Sequence, residues 1–369
     1  MQSELGWSRA AITGGLSVAL IFFGLASVPV GHWLDEHGPR LLMTAGSCAA
    51  VALVLAWSTV RDLAAFYAIW ALIGICMAAV LYGPAFATIT VWFRRQRTRA
   101  LTALTLMAGL ASTIFIPLTA WLVEMQGWRA ALVTLATILA VVTIVPHALF
   151  LRRRPSDLGL EPDGVAAAAL ETGTPPAHEP SVSLVEALRH PTFRWLVVAF
   201  CLQSLGIGVP VHLVPYLMGH GHDIAFAASA AGALGAMSLV GRIFFGPLES
   251  RFPSRVVSAG VFVLQPLAIA TLLLVPSVMG VIAFVVLFGM SRGAETLLRS
   301  TIVSGLYGSR RFASIAGVLT VFITAAQALA PVSLGAAYDL QRSYEPSLWG
   351  LAGISIVATA AVYVADRRR

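Results

Sequence analysis

The sequence predicts an all-α, polytopic membrane protein with about eleven transmembrane helices, and three observations carry that reading. Hydrophobic residues make up 58% of the 369 positions and charged residues only 11%, whereas a soluble domain carries roughly a quarter charged residues. The apolar residues fall in blocks of about 20 or more, enough to cross roughly 30 Å of hydrocarbon at about 1.5 Å per residue. The basic residues collect in the short stretches between those blocks.

The expected spans follow from the blocks in order. The first five lie at 11–34, 41–60, 64–91, 100–123 and 129–151. A polar stretch follows, and six more spans lie at 192–218, 225–248, 256–275, 278–305, 312–337 and 346–365. The sixth span is interrupted by Pro210 and Pro215 with His212 between them. A membrane helix tolerates such a break where the freed backbone groups face protein or a cavity. Small residues such as Gly14, Gly15, Gly74, Gly109, Gly232 and Gly235 recur in the spans and let helices pack closely.

Loop charge sets the expected orientation. All 24 basic residues are arginine. Seventeen of them, from Arg40 through Arg94, Arg95, Arg152, Arg153, Arg154, Arg251, Arg310 and Arg311 to Arg369, lie in one set of alternate loops. Only Arg9, Arg61, Arg129 and Arg342 lie in the other. The rich set is expected in the cytoplasm, with the N-terminus outside and the C-terminus inside. Residues 155–190, with Pro155, Pro162, Pro175, Pro176 and Pro180, read as a partly disordered cytoplasmic linker with a surface helix at 181–190. The expected organisation is an N-terminal bundle at 1–151, a linker at 152–191 and a C-terminal bundle at 192–369.

The same features exclude other functions. The formal charge of +7 belongs to membrane loops, so it does not argue for a nucleic-acid partner. Cys48, Cys76 and Cys201 lie in apolar segments without CxxC or CxxH spacing, so no metal or other cofactor is expected. HExxH, GxSxG and Walker-type motifs are absent, and with no lysine in the chain neither an enzyme nor an ATP-driven pump is expected.

A weak duplication recurs at an offset of about 215 residues. The segment with Gly31, Asp35, Gly38 and Arg40 ends the first span, and that with Gly246, Glu249 and Arg251 ends the seventh. Trp92-Phe93-Arg94-Arg95 and Tyr307-Gly308-Ser309-Arg310-Arg311 form a second pair. Arginine facing an acid in these loops can latch the cytoplasmic helix ends. Parallel repeats about an axis along the membrane normal are a transporter design. Shifting span 192–218 back by that offset places its counterpart before Met1, so the sequence reads as lacking a first helix, five spans plus six.

On these segments the chain resembles the major facilitator superfamily, and within it the monocarboxylate-transporter-like and oxalate/formate-antiporter-like branch. Gly6-Trp7-Ser8-Arg9-Ala10, Trp92-Phe93-Arg94-Arg95, His212-Leu213-Val214-Pro215-Tyr216, Gly241-Arg242-Ile243-Phe244-Phe245-Gly246 and Arg292-Gly293-Ala294-Glu295 also carry the resemblance. It implies a two-bundle fold and gradient-driven transport or exchange of a small organic anion by alternating access. The proton is the candidate coupling ion, and a monomer in the bacterial inner membrane is expected. The resemblance makes Arg242 the residue that receives a substrate carboxylate. Its pattern places an acid one turn earlier, where this chain has Ser238. The rival readings are a superfamily transporter of a drug, a sugar or an amino-acid-like solute, or a truncated membrane protein without transport.

Physical chemistry singles out several residues within the spans, because ionisable groups at membrane depth are costly. Arg242 offers a permanent, forked cation suited to carboxylates, or else reaches a loop acid as a latch. Arg292 and Glu295, with Arg299, share one helical face, either as a self-compensating brace or as a titrating and substrate-binding group. His212 is a proton carrier by its ordinary titration range, or else satisfies backbone freed by the prolines. Gln203, Gln265, Gln327 and His147 fit either a transport path or helix-to-helix hydrogen bonds.

Overall fold

Helix caps written into the sequence start several of the long helices. Ser8, Asp62 and Asp223 each accept a hydrogen bond from the backbone N–H three residues on, at 3.1, 2.8 and 2.8 Å. Each supplies one of the acceptors that a helix start lacks. The structure, a computed structural model, describes residues 2–164 and 182–367. The principal helices of the first part are α1 (Arg9–His37), α2 (Pro39–Thr59), α3 (Leu63–Val80), α4 (Tyr82–Trp92), α5 (Arg97–Leu139) and α6 (Val145–Phe150). Those of the second are α7 (Pro191–Ser204), α8 (Gly208–Gly219), α9 (Ile224–Arg251), α10 (Ser254–Leu274), α11 (Val278–Tyr307), α12 (Phe312–Gln341) and α13 (Glu345–Arg367). Among the described residues no β-sheet forms, and ten segments are long and apolar enough to cross a membrane.

Proline decides where spans break. A proline ring removes a helical hydrogen bond and crowds the carbonyl four residues earlier. Pro84 does this to Val80, and the chain turns at Leu81 (φ −85°, ψ −148°) between α3 and α4. Pro146 follows a π-turn at Ala140–Ile144, and Pro210 follows a 3₁₀ turn at Leu205–Ile207. The break in the sixth span therefore lies ahead of both its prolines. The spans expected at 100–123 and 129–151 share one hydrogen-bonded run, parted at Gly127, whose φ of 75° is left-handed.

One expectation is corrected. The loss of a first helix finds no support, because α1 holds an apolar run of 27 residues, a full crossing, near the N-terminus. Residues 152–164, at the start of the stretch expected to be a partly disordered linker, are folded. Pro155 is buried, 3₁₀ turns form at Pro155–Leu158 and Pro162–Gly164, and Asp163 accepts hydrogen bonds from the N–H groups of Arg94 (3.2 Å), Arg95 (2.9 Å) and Gln96 (3.2 Å). A short helix at Leu184–Arg189 lies within the expected surface helix. The remainder of the expected linker, 165–181, lies outside the described residues.

The chain forms two compact units: Met1–Ala100 with Met107–Leu184 and Tyr307–Val321, and Leu101–Leu106 with Val185–Leu306 and Phe322–Arg369. In the first, α3 packs against α1 and α2. An added Cβ on Gly74 would lie 2.1 Å from the Ala19 carbonyl oxygen, so only glycine allows that approach. In the second, α13 packs against α10 and α7, and an added Cβ on Gly293 would lie 1.9 Å from the Ser238 carbonyl oxygen. Ser238 and Gly293 stand 219 positions after Ala19 and Gly74, so each unit repeats one glycine contact between its helices at a common offset.

Candidate functional site

The crossing of α9 and α11 positions the charged residues of the second unit. Added Cβ atoms on Gly241 and Gly293 would strike the Met290 and Ser238 carbonyl oxygens at 2.2 and 1.9 Å. The two backbones thus touch over Ser238–Gly241 and Met290–Gly293, which brings Arg242 and Arg292 to one level on adjacent helices. Arg242 lies nine positions before the end of α9, about 13 Å along the axis. One terminal nitrogen donates to the Thr105 carbonyl at 2.7 Å. Its Nε is buried without an acceptor, and no carboxylate among the described residues pairs with it. A forked cation held by one neutral carbonyl keeps donors for an anion.

Arg292 and Glu295 are paired at 3.0 Å, with the Glu295 side chain 11% exposed. Arg299 stands one turn beyond Glu295 on the same face and close enough for its charge to act on that carboxylate. The three residues together carry one positive charge in excess. His212 lies apart from it. Its Nε2 is 3.0 Å from the Pro331 carbonyl, to which it donates, and its Nδ1 is 3.3 Å from the Tyr344 hydroxyl. The ring borders a small cavity beside Leu272, near the end of α10, and Leu348, near the start of α13. Gln203 and Gln265 form helix-to-helix bonds: Gln265 donates to the Gln203 carbonyl (3.1 Å) and the Ser355 hydroxyl (2.8 Å), and Gln203 to the Phe262 carbonyl (3.3 Å). His147 bonds Ser47 at 2.9 Å.

In the loop motif of the first unit Asp35 and Arg40 do not face each other. Asp35 accepts the backbone N–H groups of Ala313 (3.1 Å) and Ser314 (2.9 Å) and the Ser314 hydroxyl, so it caps the start of α12. The exposed N–H groups and the positive dipole end of a helix both favour a carboxylate there. Gly31 permits the approach, since its Cβ would lie 2.3 Å from the Ala313 carbonyl oxygen. Glu36 makes the ion pair with Arg311, at 3.5 Å. Gly38, at φ 80°, ends α1 and begins α2. Arg40 donates to the Ala148 carbonyl at 2.7 Å instead of meeting Asp35. In the second copy Gly246, Glu249 and Arg251 occupy the last turns of α9, and the turn to α10 is an extended Phe252-Pro253 with no left-handed residue.

Three partners escaped the reading of the sequence. A carbonyl such as that of Thr105 carries no residue signal at all. Ser314 is a hydroxyl residue in the first turn of α12, a signal that was available. Asp163 sits in a Pro-Asp-Gly turn, also legible, but its partner loop lies 67–69 residues away. Burial pushes the Asp163 carboxyl up, and the N–H groups of Arg95, Gln96 and Arg94 outweigh this and hold it below the usual carboxylate range. No group of three or more His, Cys, Asp or Glu with metal-binding geometry occurs among the described residues.

Comparison with known proteins places this arrangement in a family. The sequence profile of the Major Facilitator Superfamily matches residues 1–331. Monocarboxylate transporter 13 of Bos taurus is 27% identical over 97% of this chain and 80% of its own length. The uncharacterized MFS-type transporter YcxA of Bacillus subtilis is 25% identical over 96% of this chain and 84% of its own. The E. coli fucose:proton symporter FucP shares the fold, with a TM-score of 0.71 at 16% identity over 97% of this chain and 92% of that one. With its membrane-length helices, this chain belongs to the Major Facilitator Superfamily and is a multi-pass membrane transport protein.

Proposed function

We propose that the chain is a secondary transporter of a small organic anion, a monocarboxylate or dicarboxylate, moved across the bacterial inner membrane by alternating access. Two bundles, 1–151 and 192–369, joined by residues 152–191, rock about the path, with the N-terminus outside and the C-terminus in the cytoplasm. Arg242 carries the proposal, because it is a half-buried guanidinium inside a membrane helix whose Nε has no acceptor. Such a group is costly unless an anion completes it. The name of the bovine relative, a monocarboxylate transporter, supports the same class of solute. Glu295 is the proposed carrier of a coupling proton, a carboxylate inside a membrane helix beside Arg292.

The test is uptake of a labelled carboxylate panel, with sugars and amino acids beside it, by proteoliposomes with and without a proton gradient. Arg242→Lys keeps the charge and loses the fork. Transport of a carboxylate is expected to fall at least about tenfold in Arg242→Lys and further in Arg242→Ala, at normal protein levels. Full carboxylate uptake by Arg242→Ala at unchanged apparent affinity would overturn the anchor. Uptake confined to neutral solutes would overturn the substrate class. Glu295→Gln is expected to abolish the response to the proton gradient, and an unchanged response removes the proton role.

A further inference from the structure

A cavity of about 490 Å³ opens in the first unit, apart from Arg242, at the loop end that the arginine bias assigns to the cytoplasm. Its walls come from four separate segments: the α1–α2 turn, α4, the folded stretch after α6, and the turn before α12. Arg153, Arg154 and Arg310 line it, and among the described residues none of their guanidinium groups has a hydrogen-bond or ion-pair partner. Two acids share the wall. The Asp35 carboxylate is taken up by Ala313 and Ser314, which leaves Glu161 against three arginines.

Loop bias explains the sign of these charges but not their meeting around one cavity. That meeting is built. Asp163 fastens the stretch after α6 to Arg94, Arg95 and Gln96, and the Trp92 indole donates to the Arg152 carbonyl at 3.3 Å. The Arg154 N–H donates to Asp157 at 3.1 Å. The Arg153 stem lies against Gly38, whose added Cβ would stand 2.6 Å from Arg153 Cγ. Backbones fixed in this way lower the ordering cost of binding. The volume falls within the range of about 300–1,000 Å³ of small-molecule sites. Leu34, Val91 and Leu160 add apolar wall suited to an organic body beside the charge.

We propose that this cavity binds a phosphate monoester through Arg153, Arg154 and Arg310. The lining holds three arginines against two carboxylates, one positive charge in excess, and Asp35 is further offset by the positive end of α12. A phosphate monoester carries about −1.5 to −2 at neutral pH and offers the oxygens that guanidinium forks match. The group reaches the cavity either on a soluble metabolite or as the headgroup of phosphatidic acid. A ligand that touches all these segments favours the arrangement in which Asp35 caps α12 over any in which they part.

Glycerol 3-phosphate is the soluble probe, because it is the phosphatidic acid headgroup without its chains. Binding to the full chain in detergent is measured by calorimetry at fixed ionic strength, with glycerol and chloride as controls. Binding to lipid is measured in nanodiscs containing phosphatidic acid or, as the diester control, phosphatidylglycerol. Saturable binding of glycerol 3-phosphate, weakened about tenfold or more by Arg310→Gln or Arg153→Gln, establishes the site with a soluble ligand. Preference for phosphatidic acid alone, lost in the same variants, establishes it with the lipid as source. Arg310→Lys and Arg153→Lys keep charge and fold, so they report the fork even where the glutamine variants do not accumulate. Arg242→Gln should leave this binding intact, which separates failure here from failure of the substrate anchor. Absence of binding to either probe, or binding unchanged in every arginine variant, overturns the proposal.

Discussion

Asp163 shows how much one side chain decides. It holds a left-handed backbone, φ 66°, that favours glycine, and its carboxylate accepts three N–H groups from a distant loop. Asp163→Gly relieves the backbone and deletes only the acceptor. Amide hydrogen exchange at Arg94–Gln96 should then rise at least about tenfold, since hydrogen bonds to a charged group contribute about 1.5–3 kcal/mol. The acid's pKa is lowered by folding, so its contribution is complete above the unfolded carboxylate range, about pH 4, and is lost as pH falls through the folded value. A dye on a cysteine at position 158 should therefore report a fastened segment down to about pH 4 and release only below it. Release near neutral pH would contradict this account. Asp35→Ala removes the cap of α12 and is expected to cost about 0.5–2 kcal/mol, read as faster exchange at Ala313 and Ser314.

Helices in these units pack by glycine, and the sign of a glycine substitution follows from what stands opposite. At Gly293 a methyl group would meet the Ser238 backbone, which cannot rotate away. Gly293→Ala must part α9 from α11 and is expected to destabilise by about 1–3 kcal/mol, with a lower thermal unfolding midpoint. At Gly235, in the same helix as Ser238, an added Cβ meets nothing within 4 Å. There alanine is expected to be neutral or to stabilise by up to about 1 kcal/mol through helix propensity. Equal effects at the two positions would show that packing is not what these glycines serve. Gly235 reads as a packing glycine in the sequence, because the residue type is visible there and the opposing backbone is not.

At the scale of the molecule the prediction concerns sidedness. With Cys48, Cys76 and Cys201 replaced, a cysteine at position 158 should react only from the cytoplasm and one at position 62 only from outside. The reverse pattern at either site would overturn the orientation drawn from the arginines. Multi-pass helical architecture was legible because lipid imposes a length and an apolarity on each crossing, and both are written locally in the chain. The candidate site was legible in part. Arg242, Arg292 and Glu295 stood out because charge inside an apolar run is visible in one dimension.

What the sequence determined by itself is therefore what short stretches encode: the helices, their caps at Ser8, Asp62 and Asp223, and the charges placed within them. The tertiary structure decided which partner each charge meets. Asp35 lies five residues before Arg40 in the chain, yet it caps α12 through Ala313 and Ser314 while Arg40 turns to the Ala148 carbonyl. Arg242, which has no acid at Ser238, rests on the Thr105 carbonyl instead. The reason is physical. Backbone N–H and carbonyl groups are present whatever the side chains are, so these partners carry no residue signature. Only folding brings them within hydrogen-bond distance.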